Sequence, residues 1–356
     1  MKIGFMSHNG DMSVGSYRIW CNDLNKYLGE AGYDSVLFEQ TEVFQYNVVA
    51  GSIQAKFRKG KLEKIKECDV IILSKNSSMF FGDIKNLSKD ILVGVINYAA
   101  DAPALPFDFY IVGSLEEKAS MSKYDNVFYY PLIEDMYQAE ELYKKHEHKE
   151  ELTIGFHGSY SHISKLGFQN KAILNALREF SQEQKITLKI VTNPQTQIPE
   201  IKSIPNWKTV VVPWKIETVA EELLGCDIGI VPNVGYLPLT DLNKTEANVH
   251  KGFFPTDYLM RFKNKSNSGR SFVFHQLGVP VVTDLTPSNF HVMGSGECGH
   301  IVANQEGWLK SFRYFKDHTK RQQVADRAKD EFDRLYNPHD WAKKLYNQIK
   351  GVKYEN

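Results

Sequence analysis

The sequence contains no apolar run approaching the ~20 residues that a membrane-spanning helix requires, so any membrane contact is expected to be peripheral. Cysteine is scarce: Cys21, Cys68, Cys226 and Cys298 are far apart, form no CxxC pair, and no secretory signal precedes "MKIGFMS". Free thiols in a reducing cytoplasm are the expectation, and a zinc site is not. An excess of one charge is also missing. Lys plus Arg and Asp plus Glu number 43 each, leaving no net positive field to hold nucleic acid. There is no GxxxxGK[ST] loop, which argues against an ATPase of that type, and no DxD pair to advertise a metal carrying a diphosphate. "GSGECG", residues 294–299, spells GxGxxG but does not join a first strand to a helix, so it reads as a loop and not as a nicotinamide site.

At 356 residues the chain suits two domains rather than one core. Strands alternate with helices, the signature of an α/β protein with parallel sheets covered on both faces. "MKIGFMS" reads as a first strand, residues 16–31 as a helix, and "DSVLFEQ", "CDVIILSK", "ILVGVINY", "DFYIVGS" and "NVFYYPL" as further strands. "YKKHEHKEE", residues 143–151, is too charged to bury and fits a linker, with His146 and His148 solvated rather than ligating. A second series follows: "LTIGFHGS", a helix near 168–182, "ITLKIVT", "WKTVVVPW", a helix near 216–224, "CDIGIVPN" and "GVPVVTD". Two doubly wound, Rossmann-like domains facing a cleft are therefore expected, with boundaries at 1–148 and 149–337 and a closing helix over 338–356. Ligands of such folds bind at the carboxyl ends of strands.

The stretch "KNKSNSGRSFVFHQLGVPVVTD", residues 263–284, carries the strongest chemical signal. Basic and small residues open onto a helical run that stops at a glycine and feeds a buried strand. Helix amides and the helix dipole already favour an anion at such a place. Lys265 would add mobile charge and Arg270 a planar fork, flanked by Ser266, Asn267 and Ser268. A loop arginine among serines and asparagine is expected to carry no core packing.

These residues together resemble a GT-B glycosyltransferase: two doubly wound halves, "GFHGS" opening the second, "CDIGIVPN" near its middle, the basic loop, "LGVPVVTD", Gly299 with "HIV", and a C-terminal helix containing Trp341. The resemblance is nearest to the family-four type, retaining enzymes that use nucleotide sugars, and covers most of the chain. It implies that the C-terminal helix packs back on the N-terminal, acceptor-side domain and that the C-terminal domain holds the donor. Lys265 and Arg270 occupy the place of the basic residues that contact the donor diphosphate in relatives. By the same analogy Gly15 and Ser16 close on the phosphates from the first domain. "GFHGSYSHISK" lines the donor side with His157, Gly158, Ser159, His162 and Lys165. Pro213 and Trp214 of "VVVPWK" border the base, Asn233 ends "CDIGIVPN", and Asp101 of "NYAADAP" marks the acceptor side. Many family-four members carry two glutamates before this strand; Lys265 and Val273 stand in their places here.

Breaking a sugar–phosphate bond builds positive charge on the sugar and negative charge on the leaving phosphate. With no cofactor and no metal expected, Arg270 and Lys265 are the groups to stabilise that leaving group. The resemblance implies a cytoplasmic enzyme of bacterial surface-polysaccharide assembly, taking a UDP- or GDP-linked sugar to a glycan or lipid-linked acceptor. "KFRKGKLEKIK", with Phe57, Leu62 and Ile65, and Met79, Phe80 and Phe81 of "SSMFFGD" suggest peripheral contact with the inner membrane face; a solvated helix face over a core aromatic pair is the alternative. Two other readings stay open: a sugar-nucleotide epimerase, and a non-catalytic pseudo-glycosyltransferase acting as an interaction module.

Overall fold

The computed structural model describes residues 1–7, 10–38, 43–49, 52–58, 62–98, 105–158, 171–193, 204–232, 253–254, 262–263, 267–294 and 296–355. The chain divides into two units, Met1–Leu132 with Asn337–Asn356, and Ile133–Tyr336. Residues 133–148, placed with the first half by sequence, belong to the second unit.

The first unit is built on β1 (Ile3–Met6), β2 (Ser35–Phe38), β5 (Val70–Ser74), β6 (Leu92–Ile96), β7 (Phe109–Val112) and β8 (Val127–Tyr129). They form one parallel sheet in the order β2-β1-β5-β6-β7-β8. Runs such as "VIILS" are apolar at successive positions because both faces of a parallel sheet are covered. Side chains alternate between faces. Ile3, Phe5, Val70 and Ile72 therefore join one cluster, whereas Met6, Ile71, Leu73, Val93 and Val95 join another. The first cluster is closed by Leu24 and Leu28 and by Ala342, Leu345, Ile349 and Val352 of the helix Pro338–Glu355. Their helical spacing puts one apolar stripe on this sheet.

An antiparallel hairpin, β3 (Phe44–Val49) with β4 (Ser52–Phe57), was not foreseen from the sequence. It divides the basic stretch 56–66 between a strand and the helix Leu62–Lys66. Of the residues named for a membrane patch, the side chains of Phe57 and Leu62 lie outside the described residues. Ile65 and Phe80 are core residues, Phe81 packs edge-on against Phe107, and only Met79 of the apolar trio stands out, 69% exposed. Among the described residues no helix is long and apolar enough to cross a membrane.

The second unit contains β9 (Glu151–His157), β10 (Lys185–Thr192), β11 (Trp207–Pro213), β12 (Ile228–Val231), β15 (Val281–Asp284) and β16 (His300–Val302), with a short pair, β13 (Phe253–Phe254) and β14 (Phe262–Lys263). The large sheet is parallel in the order β11-β10-β9-β12-β15-β16. Strand order reverses between β9 and β12 here, and between β1 and β5 in the first unit. Ligands of open α/β sheets bind outside the strands' carboxyl ends at such reversals.

The charged stretch 143–151 is not a solvated linker, because its charges meet partners inside the second unit. The Lys144 ammonium donates to Leu224 O at 2.8 Å and lies 3.4 Å from Asp227, whose side chain is fully buried. Lys149 Nζ donates to Asp227 Oδ1 at 2.8 Å and Thr153 N to Oδ2 at 2.9 Å. Burial by itself would raise the Asp227 pKa; these donors overcome it and hold the carboxyl below the usual range. His146 is buried, accepting from Arg321 Nε at Nδ1 (3.3 Å), which leaves Nε2–H to donate to Gly278 O at 2.9 Å. His148 is exposed, as expected.

Burial lowers the pKa of His146 and of His275 to about 4, against an ordinary 6.5. The native state keeps both neutral, while the unfolded chain binds protons as pH falls. Their contribution is fully present above about pH 6.5 and lost as pH falls towards 4, roughly 3 kcal/mol for each shift of this size. The melting temperature should fall steadily between pH 7 and about pH 5, and less steeply in His146→Gln. A melting temperature flat over that range would contradict this assignment.

Candidate functional site

The site is assembled at the strand reversal of the second unit. β9 ends at His157, and Gly158 follows with φ +132°, a conformation that other residues rarely adopt. The Gly158 amide donates to Val191 O, and Thr192 Oγ1 donates to Gly158 O at 2.8 Å, so the ends of β9 and β10 are tied together. β12 ends beside β9 and leads into Pro232.

The helix Gly269–Gln276 starts here. Asn267 Oδ1 accepts from Gly269 N at 3.1 Å, a local turn that lets the chain enter the helix. The remaining first-turn amides have no intrahelical acceptors, which makes this end favourable to negative charge.

Arg270 is the second residue of that helix and not a loop residue. Its Nη2 donates to Pro232 O at 2.9 Å, and the guanidinium lies 5.4 Å from the Phe156 ring centroid. A Cβ on Gly158 would come within 3.2 Å of Arg270 Cδ, so the glycine leaves the arginine stem its path. His157 Nε2 is 3.4 Å from Arg270 O, and the imidazole meets Phe274 edge-on at 5.1 Å between centroids. Burial lowers the Arg270 pKa to about 10, opposed by the buried carboxylate of Asp284 at the end of β15. The guanidinium thus stays charged at neutral pH in a desolvated place, where its interaction with an anion is screened least. The expectation that Arg270 has no packing role is corrected: the arginine stem and fork are held against Phe156, Gly158 and Pro232.

The hydroxyls of Ser268 and Ser271 are buried and have no hydrogen-bond partner among the described residues. A buried hydroxyl left in that state costs about 1–3 kcal/mol, which an acceptor such as a phosphate oxygen would remove. Arg270, His157, Gly158, Asn267 and Ser268 are therefore brought to one place. Pro213 and Trp214 adjoin it through Trp214 N, which donates to Thr192 O at 2.8 Å; Trp214 is half-buried and lies outside the core. Gly15 and Ser16 stand in the first unit, at the start of the helix Gly15–Tyr17. Asp101, Ser159, His162, Lys165, Asn233, Lys265 and Ser266 lie outside the described residues. Val273, at a family glutamate position, is fully buried. Sequence reasoning missed Asp284, Thr192, Phe156 and Ser271. Asp284 was within reach, since it closes the quoted "GVPVVTD" at the carboxyl end of a strand.

No protein-family model and no curated protein matches the chain. Solved structures do. The chain is similar to sucrose-phosphate synthase from Thermosynechococcus elongatus, at 13% identity and a TM-score of 0.60 over 98% of this chain and 99% of that one. It is similar to Anabaena Alr3699/HepE solved with UDP, at 10% identity and a TM-score of 0.59 over 99% of this chain and all of that one. A glycosyltransferase from Rickettsia africae matches at 9% identity with a TM-score of 0.62, over 99% and 98% of the two chains. The chain has the GT-B fold. In this GT-B protein the Arg270 site is formed within one unit, at the strand reversal next to the Gly269–Gln276 helix.

Proposed function

We propose that this GT-B protein is a glycosyltransferase using a nucleotide-sugar donor, UDP- or GDP-linked, whose diphosphate lies at the first turn of the Gly269–Gln276 helix. The carrying observation is Arg270: a desolvated guanidinium at the strand reversal, beside buried serine hydroxyls and a helix N-terminus. As the sugar leaves, charge accumulates on the phosphate. Arg270 and the first-turn amides stabilise that charge without reorganising, so their effect falls on the transition state. Neighbours solved with UDP or UDP-glucose favour the UDP arm. Transfer runs with retention and without a divalent metal, to a glycan or lipid-linked acceptor of bacterial surface-polysaccharide assembly, by a protein at the cytoplasmic membrane face.

A second reading has one specific observation in its favour. Val273 is an apolar core residue where relatives carry a glutamate, which suits a non-catalytic relative that binds donor without turnover. One experiment separates the readings. UDP- and GDP-sugars should raise the melting temperature, because a ligand binding only the native state stabilises it by mass action. Nucleotide release should then follow on adding acceptor glycan extracts, and persist in excess chelator. No stabilisation by any nucleotide sugar would sink the proposal. Stabilisation without release would favour the non-catalytic reading, and donor conversion without acceptor an epimerase. Activity lost in chelator and restored by magnesium or manganese would overturn metal independence.

A further inference from the structure

A cavity of about 320 Å³ lies at the amino ends of β9, β10 and β11. That volume is at the lower end of the roughly 300–1,000 Å³ typical of small-ligand pockets. β10 runs from Lys185 to Thr192, so at about 3.3 Å per residue roughly 23 Å separates the cavity from the Arg270 site, where Thr192 is tied to Gly158. Both places lie in the second unit. The strand register accounts for the lining. Lys185 stands beside Glu151, and Thr187 beside Lys208. Side chains alternate along a strand, so Glu151, Lys185 and Lys208 share one face of the sheet. Ile186 and Trp207, paired on the opposite face, belong to the apolar core, with Ile204 packed against it. Ile204 and Trp207 bracket a turn in which Trp207 N donates to Ile204 O at 3.0 Å and Asn206 takes φ +67° at the third position. The exposed Asn206 completes the lining.

The lining fixes the ligand's chemistry. Lys185 and Lys208 are exposed, and neither has an ion-pair partner among the described residues. Two ammonium groups against one carboxylate, that of Glu151, leave a single positive charge for a ligand to match. Glu151 already accepts from Thr187 Oγ1 at 2.5 Å. An ionised carboxylate only accepts, so its remaining lone pairs call for ligand hydroxyls, and a compact anion such as phosphate would meet it as like charge. The Asn206 amide can both donate and accept. Ile186, Ile204 and Trp207 add apolar surface for the C–H face of a ring. Trp207 is 4% exposed, and its indole N–H has no acceptor among the described residues, a deficit that a ligand oxygen would remove. One carboxylate, several hydroxyls and an apolar ring face together describe a hexuronate.

We propose that the second unit binds a hexuronate residue of an acidic glycan in this cavity, at the opposite end of the sheet from Arg270. That the sugar belongs to a glycan rests on the glycosyltransferase reading; the site itself does not. The test is NMR titration of the isotope-labelled full chain, following the indole N–H of Trp207 among the five tryptophans. Its resonance should shift with a glucuronate tetramer, shift less with free glucuronate at equal concentration, and stay in place with cellotetraose or a tetraglutamate peptide. Lys185→Ala combined with Lys208→Ala should weaken tetramer binding by about tenfold, the loss of two exposed pairings. Both positions are exposed, and circular dichroism checks that the variant folds. The rise in melting temperature with UDP should be the same in the double variant as in the wild type. No response to the tetramer would overturn the proposal, as would undiminished binding by the folded double variant. An equal response to cellotetraose would overturn the acid assignment, an equal response to tetraglutamate the sugar assignment, and tighter binding of free glucuronate the glycan assignment. Loss of UDP stabilisation in the double variant would overturn the separation of the two sites. If UDP stabilises neither protein and the tetramer binds as expected, the nucleotide reading fails and this site stands; UDP stabilisation without tetramer binding reverses that outcome.

Discussion

Arg270→Ala should lower turnover at saturating donor by roughly 10²–10³-fold, with donor affinity falling much less. The asymmetry follows from where the charge is needed. The guanidinium is already desolvated and held against Phe156 and Pro232, so little reorganisation separates its resting position from one that meets a leaving phosphate. Arg270→Lys should recover only part of the loss, because an ammonium supplies charge without the planar fork. The packing adds a second expectation. Removing the side chain breaks the hydrogen bond to Pro232 O and takes away a positive charge that interacts with Asp284, so a stability loss of about 1–3 kcal/mol should accompany the kinetic defect. Turnover measured well below the variant's melting temperature separates the two effects. Near-wild-type turnover in folded Arg270→Ala would remove the arginine from the chemistry and leave it a structural role.

Asp227→Ala should produce the largest stability change, roughly 3–5 kcal/mol against the second unit. The carboxylate is fully buried, and its removal leaves Lys144, with a side chain only 9% exposed, as a buried cation without its acidic partner. Burial already lowers the Lys144 pKa, with Asp227 opposing that shift, so the variant's lysine should lose its proton more readily still. Lys149 is 40% exposed and counts for much less, since water screens its pairing. The double variant Asp227→Ala with Lys144→Met should regain much of the loss, because no buried charge remains. Denaturant titration of the single and double variants measures this. A single-variant loss below about 1 kcal/mol would show that solvent reaches the pair.

The sequence by itself determined the two series of buried parallel strands and the helices between them. Those are local readings: an apolar run long enough for a strand, a helical stripe such as Ala342, Leu345 and Ile349, and a glycine where the Gly269–Gln276 helix must stop. It also brought the basic stretch to the amino end of that helix, because small residues before a periodic run mark a helix start. Only the tertiary structure decided which charges are buried. The 143–151 stretch looks solvated because its partner, Asp227, lies 78 residues from Lys149, and no local pattern reports a pairing across that separation. The same holds for Arg270, whose chemistry depends on Pro232, Phe156 and Asp284 converging from three strand ends. Phe80 and Met79 are neighbours in a short apolar run, yet one is core and the other surface. Periodicity over one turn cannot choose between them; the packed face of the sheet does.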